Sequence, residues 1–281
     1  MSPELIADYD CRTGEGPLWH PDEEVLYWLD IPDGELYRYD PGADEHELCH
    51  EGERVGGFTI QENGDLLLFG EGGSIRTWND GIEETLVEEI PEESDSRFND
   101  VIAGPEGRVY CGTMSGQLYR LDTDGTLATL IQDAGTPNGL GFTPDRERVY
   151  FTDTGADAIW RFDYDRETGL FSEREQFVDT VGSAGKPDGM TVDAEGYVWS
   201  ARWNGGCVVR HDPSGREVDR VELPACKVSA ITFGGPDYET AYITTAGGEA
   251  DPTVEGEGAG GLYAADLGVE GVPEFRSEIE I

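Results

Sequence analysis

One pattern of residues recurs along the whole 281-residue chain, and it constrains the fold more than any other feature. Its clearest copy runs from Lys186 to Asp212, KPDGMTVDAEGYVWSARWNGGCVVRHD. Asp188 opens it in a Pro-Asp-Gly turn, and an apolar run follows. A turn at Asp193-Ala194-Glu195-Gly196 leads into Tyr197-Val198-Trp199-Ser200-Ala201, and Cys207-Val208-Val209-Arg210 makes a third run before Asp212-Pro213. Short apolar runs between tight turns, without a helical period, predict strands. Six copies align on one apolar position: Trp19, Ile60, Ala103, Phe142, Val192 and Phe233. They begin at intervals of roughly 40 to 50 residues, the period of propeller blades. Each has three clear strands and room for a fourth, which predicts an all-β, six-bladed β-propeller. The copies run nearly end to end, so residues 1–281 are expected to form a single propeller domain. Glu4-Leu5-Ile6-Ala7-Asp8-Tyr9 has strand character ahead of the first copy. Residues 3–10 are expected to complete the last blade and close the ring, which also removes an exposed sheet edge.

The register of the repeats locates a site. In a propeller the innermost strand of every blade lines a central channel, so equivalent positions at its start converge on the axis. Four residues before the apolar anchor stand Glu15, Gly56, Asn99, Asn138, Asp188 and Ser229. Four of these carry a carboxylate or carboxamide oxygen. Taken singly, Asp188 and Asn138 read as turn residues capping their own backbone. Turn chemistry does not explain Glu15, because glutamate is a poor turn former, nor the joint pattern. Carboxylates facing each other across a narrow channel repel unless a cation lies between them. A hard divalent cation held by Glu15, Asn138 and Asp188 resolves that, with Asn99 beside it or ligating it. Gly56 and Ser229 should stand at the same level without binding it.

Arg97 lies two residues before Asn99. It reads either as one more surface ion pair or as a planar fork holding oxygens of a polar ligand at the channel mouth. Asp100 reads equally as a carboxylate near the metal or as a turn residue. The tryptophans of the strands are expected in the core. His20, His46, His50 and His211 have no ligand spacing and read as surface or turn residues. No nucleophile elbow, phosphate-binding loop or dinucleotide fingerprint is present. The Gly- and Glu-rich insertion from 246 to 261 reads as a lid at the channel mouth or as a surface loop.

Charge bears on setting and partners. Sixty acidic residues oppose 19 basic ones, a net charge of −41, and Lys186 and Lys227 are the only lysines. Acid dispersed over turns and strand faces, with arginine in place of lysine, predicts a protein adapted to a cytoplasm rich in salt, where counter-ions screen self-repulsion. Nucleic acid and anionic membrane are poor partners for such a surface. Five scattered cysteines, with no Cys-x-x-Cys pair and no leader-like N-terminus, predict a reduced, cytoplasmic chain, expected to be monomeric, with its thiols as small core residues.

At its site residues the chain resembles a known family. Gly14-Glu15-Gly16-Pro17-Leu18-Trp19, Arg97-Phe98-Asn99-Asp100, Pro137-Asn138-Gly139-Leu140 and Pro187-Asp188-Gly189-Met190-x-x-Asp193-x-x-Gly196-x-x-Trp199 are similar to elements of the SMP-30/gluconolactonase/regucalcin family. Gly205-Gly206 and Gly260-Gly261-Leu262-Tyr263 fit it as well. The resemblance spans essentially the whole chain. It implies a six-bladed propeller with one divalent metal (Ca, Mn, Mg, Zn or Fe) on Glu15, Asn138 and Asp188. It also implies a sugar lactone held by Arg97 and Asn99, and hydrolysis of an aldono-1,4- or 1,5-lactone such as glucono-, xylono- or arabinolactone. Asp188 would also serve as the base. Relatives hydrolyse organophosphates, so a phosphotriesterase-like hydrolase is one alternative, and a non-catalytic metal-binding propeller is another. One departure is visible. Animal members carry a longer segment after the Gly-Thr-Met element, whereas here Gly112-Thr113-Met114 runs straight into Ser115-Gly116-Gln117, which shortens one wall of the pocket.

Overall fold

The computed structural model describes residues 2–247 and 252–280. The described residues form six antiparallel four-stranded sheets, each built of strands consecutive in sequence except the last. Their innermost strands are Gly14–His20, Val55–Ile60, Phe98–Ala103, Pro137–Phe142, Lys186–Val192 and Lys227–Gly234. The six-bladed propeller expected from the repeats is therefore what forms. Glu4–Asp8 is the outermost strand of the sixth sheet and pairs with Gly261–Asp266, Glu4 opposite Ala264 and Asp8 opposite Gly261. The ring is closed as the sequence predicted.

Strand position follows from residue type. Val55–Ile60 and Pro137–Phe142, apolar or glycine-rich, are buried at every position, whereas Glu45–Glu51 and Ile82–Val87 alternate acid with little apolar content and stay largely exposed. The core consists of layers between neighbouring blades rather than one mass. Tyr27, Phe58 and Trp78 fill the layer between the first and second blades, and Tyr110, Phe142 and Tyr164 the layer between the third and fourth. Near the axis the inner strands come so close that side chains are excluded. A Cβ on Gly56 would lie 1.9 Å from the carbonyl oxygen of Phe98, and one on Gly139 would lie 2.5 Å from the amide nitrogen of Met190.

The repeats do not account for the C-terminal segment. Residues 269–280 cross the face opposite the strand starts and touch every blade in turn. Gly271 N donates to Tyr238 O of the sixth, and Ala194 N of the fifth donates to Glu270 O. The Phe275 ring meets Phe142 of the fourth, and Arg276 pairs with Asp22 of the first at 2.8 Å. Ser277 N donates to Ile60 O of the second, and Glu278 N to Gly107 O of the third. This strap puts Glu274 and Phe275 into the channel, where they line a small cavity with Gly16, Asp100, Leu140 and Met190.

Three sequence expectations need qualification. His20 and His211 are buried, not surface residues: His20 Nε2 contacts Gly64 O at 2.9 Å, and His211 packs beside Phe177. All five cysteines are unpaired, but only Cys11, Cys111 and Cys207 are fully buried. Of the insertion at 246–261, residues 248–251 lie outside the described residues. Its later part forms the short helix Pro252–Glu255, with Glu255 accepting from Lys227 Nζ at 2.6 Å.

Candidate metal centre

The six inner strands share one irregularity. Their ladders slip between Glu15 and Leu18, Val55 and Gly57, Phe98 and Val101, Pro137 and Leu140, Pro187 and Met190, and Val228 and Ala230. A bulge leaves residues unpaired and re-aims their side chains. Asn99, Asn138, Asp188, Gly56 and Ser229 fall within these bulges, and Glu15 stands immediately before one. The equivalence inferred from the repeats is thus a common backbone device at one level of the channel.

Asp188 is 5% exposed and Asn138 7% exposed; Glu15, Asn99 and Asp100 are partly buried. Burial pushes the Glu15 carboxyl up to about 8, with Asp100 adding to it, against the Gly16 amide that donates to Glu15 Oε2 at 3.0 Å and the nearby Arg97. Asp100 is pushed up to about 7 by burial. Asp188 is raised well above its ordinary range by burial, then by Glu15 and Asp100. These carboxyls resist ionising together because each sits in the others' field with little water. A divalent cation removes that penalty, and two carboxylates with an amide oxygen form the hard-oxygen set that Ca²⁺ and its relatives accept. The donor set therefore fits a metal. Asp30, Asp33 and Glu35 lie closer to one another, within 4.8 Å. However, both Asp30 oxygens accept from the backbone amides of Arg12 and Thr13, and Asp33 pairs with Arg12 at 3.0 Å. That cluster caps its own loops.

The amides are held in fixed orientations. Arg97 Nη1 donates to Asn99 Oδ1 at 2.9 Å and to Phe98 O at 2.8 Å. Asn99 Nδ2 donates to Pro137 O at 2.9 Å and to Asn138 Oδ1 at 3.1 Å. Asn138 Nδ2 donates to Thr154 Oγ1 at 3.0 Å, and that hydroxyl donates to Pro187 O at 2.7 Å. Thr154 thus fixes which end of the Asn138 amide faces the channel. Sequence reasoning missed it, because it lies just after the second strand of its blade and the repeat comparison followed only the first. The structure brings Arg97, Asn99 and Asn138 into direct contact and places Glu15 and Asp188 in mutual electrostatic range. Ser229 is used up: its hydroxyl donates to Gly14 O at 2.6 Å and contacts Thr244 Oγ1 at 2.9 Å. Beside Arg97, Met114 N donates to Arg97 O at 3.0 Å, so the Gly112-Thr113-Met114 turn braces the arginine.

The motif residue Asp193 has a different task. Its oxygens accept from the amides of Glu195 and Tyr197, from Trp199 Nε1 at 2.9 Å and from Arg210. It locks the first turn of the fifth blade, away from Glu15, Asn138 and Asp188. No helix among the described residues is long and apolar enough to cross a membrane.

Comparison with known proteins agrees with this geometry. The family profile described as SMP-30/Gluconolactonase/LRE-like region matches residues 13–247. A pentonolactonase of Haloferax volcanii is 48% identical over 100% of both chains. Regucalcin of Xenopus laevis is 32% identical over 96% of each, and the 6-deoxy-6-sulfogluconolactonase of Pseudomonas putida is 33% identical over 93% of each. Among solved structures, a calcium-binding protein, regucalcin, from Agrobacterium tumefaciens superimposes with a TM-score of 0.88 at 26% identity, covering 100% of this chain and 98% of that one. Fold, register and sequence agree: the chain belongs to the SMP-30/gluconolactonase/LRE-like family.

Proposed function

We propose that this protein is a metal-dependent sugar lactonase, with Glu15, Asn138 and Asp188 as metal ligands and Arg97 and Asn99 as substrate contacts. The observation that carries this reading is the trio of channel carboxyls, Glu15, Asp100 and Asp188, each made harder to ionise by burial, with Asp100 adding to the effect on Glu15 and both adding to that on Asp188. Lactonase relatives along the full chain support the reaction class. When bound, the divalent cation supplies Lewis acidity to the lactone carbonyl and to a water molecule.

The remaining work falls to side chains. Asp188 takes a proton from the attacking water, for which a carboxylate within one hydrogen bond is sufficient. Water oxygen bonds to the carbonyl carbon, the ring C–O bond breaks, and the departing ring oxygen receives the proton. Arg97 spends Nη1 on Asn99 and Phe98, and the rest of its fork orients sugar hydroxyls. Asn99, clamped by Arg97 and Pro137, transmits that position to Asn138. The oxygen-only ligand set favours a hard cation such as calcium, magnesium or manganese. A single propeller domain over 1–281, acting as a monomer in a salt-rich cytoplasm, completes the reading.

The test is a panel of aldono-1,4- and 1,5-lactones followed by proton release, with and without chelator. Activity should vanish on chelation, return with metal, and be absent in Asp188→Ala, which should also bind no metal. Full turnover after exhaustive chelation would reject the mechanism. Phosphotriesters in the same panel address the phosphotriesterase-like alternative. Metal binding without turnover on any substrate would leave a non-catalytic propeller.

A further inference from the structure

Arg202 lies on Val198–Trp203, the second strand of the fifth blade, and is 2% exposed. It shares a face with Val198 and Ser200, opposite His211, Val209 and Cys207 of the next strand. That face packs on the fourth blade: Val198 clusters with Tyr150, Ile159 and Val178, and Phe177 lies 6.4 Å from the His211 ring.

The guanidinium is poorly served there. Nη2 contacts His211 Nε2 at 2.8 Å, while Nε and Nη1 have no hydrogen-bond partner among the described residues. His211 Nδ1 faces Gly215 O at 3.2 Å, so Nδ1 carries the hydrogen and Nε2 accepts. The imidazole is therefore neutral, and burial with Arg202 beside it pushes its pKa down to about 4. It satisfies a donor without offsetting charge. Arg202 forms no ion pair with a carboxylate among the described residues. Glu217, the acid in range, is held by Arg220, which donates to its Oε1 at 2.9 Å and its Oε2 at 3.0 Å. Arg220 adds a second positive charge, with Nη1 3.1 Å from Cys207 Sγ. That thiol is fully buried and its pKa is raised, so it stays neutral.

The fourth blade offers further unused polar atoms. Thr152 and Thr180 are buried and their hydroxyls have no hydrogen-bond partner among the described residues. Thr152 alternates with Tyr150 along Arg148–Asp153 and so faces this interface, and Thr180 directly follows the strand Leu170–Asp179, whose Val178 packs there. Thr152 lies two residues from Thr154, whose hydroxyl bonds Pro187 O, and Pro187 is the ladder partner of Arg202. Past Thr180, the chain reaches Ala184, whose carbonyl oxygen would lie 2.7 Å from a Cβ on Gly205, itself packed on Arg202. A buried, uncompensated cation is strongly unfavourable. A trapped water would satisfy donors but leave the charge.

We propose that a small monovalent anion, chloride, occupies the interface between the fourth and fifth blades against Arg202 Nε and Nη1, with the hydroxyls of Thr152 and Thr180 donating from the other side. It serves as the counter-ion of Arg202 and ties the two blades together. Nothing in this requires the lactonase reading.

The experiment compares thermal midpoints of wild type and Arg202→Met as potassium glutamate is exchanged for potassium chloride at constant ionic strength. The two salts differ in general effect, so the readout is the difference between the proteins. Wild type should gain about 2–4 °C over the variant's response once chloride reaches tenfold its dissociation constant, along a saturating curve. Chloride-35 resonance linewidth gives a direct reading: wild type should broaden the line, bromide should compete, and Arg202→Met should do neither. Parallel responses of the two proteins, with no wild-type broadening displaced by bromide, would overturn the proposal and leave the space to water. Should Arg202→Met not fold, wild-type linewidth with bromide competition decides alone.

Discussion

Replacing Glu15 by glutamine should stabilise the metal-free protein and destabilise the metal-loaded one. An ordinary glutamate ionises near 4.5, whereas Glu15 does so at about 8. Its folded-state pKa is raised, so the folded chain holds a proton that the unfolded chain has released between those values. Stability linked to this group is therefore fully present below about pH 4.5 and falls as pH rises towards 8. At 1.36 kcal/mol per pH unit the gap amounts to about 5 kcal/mol as a ceiling. Glu15 keeps some contact with water, and Asp100 and Asp188 share the same repulsion, so about 2–3 kcal/mol is the expected relief. For a chain of this length that is about 4–6 °C in melting midpoint. The assay is calorimetry of wild type and Glu15→Gln from pH 4 to 9, in chelator and in excess calcium, at fixed potassium chloride. In chelator the two should coincide near pH 4 and diverge, glutamine higher, up to pH 8. In calcium the order should reverse, because only wild type gains binding energy. A glutamine variant that melts lower than wild type in chelator at pH 8 would refute the reasoning, since it would mean that the carboxylate is already compensated without metal.

Three further outcomes are expected. Thr154→Val removes the acceptor that orients Asn138 and should weaken metal affinity about 10- to 100-fold with little change in metal-free melting, as titration calorimetry would show. Deleting residues 270–281 removes the strap's hydrogen bonds to the blades, each contributing about 1 kcal/mol; an unchanged midpoint would mean that the strap adds nothing to ring closure. At a net charge of −41, the midpoint should rise steeply in potassium chloride from about 0.1 M to about 3 M, as the screening length falls from about 10 Å to about 3 Å or less. A flat curve there would remove the case for salt adaptation.

What the sequence disclosed and what it withheld have physical causes. Apolar spacing repeats because every blade buries the same faces, so blade number, closure by Glu4–Asp8 and the shared level of Glu15, Asn138 and Asp188 were legible. The bulges were not, since a slipped ladder leaves the alternation on either side intact. Thr154 acts through one hydroxyl at the end of a strand, with no counterpart in the other blades to mark it. The strap from 269 to 280 has no period of its own, and several of its hydrogen bonds, such as Ser277 N to Ile60 O, are backbone ones that any sequence would make. Arg202 looks in sequence like any arginine of an acidic surface; only its burial between two blades sets it apart.

The strap also fixes when the molecule is finished. It contacts all six blades and contributes Glu274 and Phe275 to the floor of the channel. Five blades can stack as they emerge, and the sixth must wait for its third strand to meet Glu4–Asp8. Even then the channel is open at one end until residues 269–280 lie across it. A fusion partner appended at the C-terminus would have to leave this segment free to cross the ring, whereas one at the N-terminus would only have to clear the outer edge of the sixth blade.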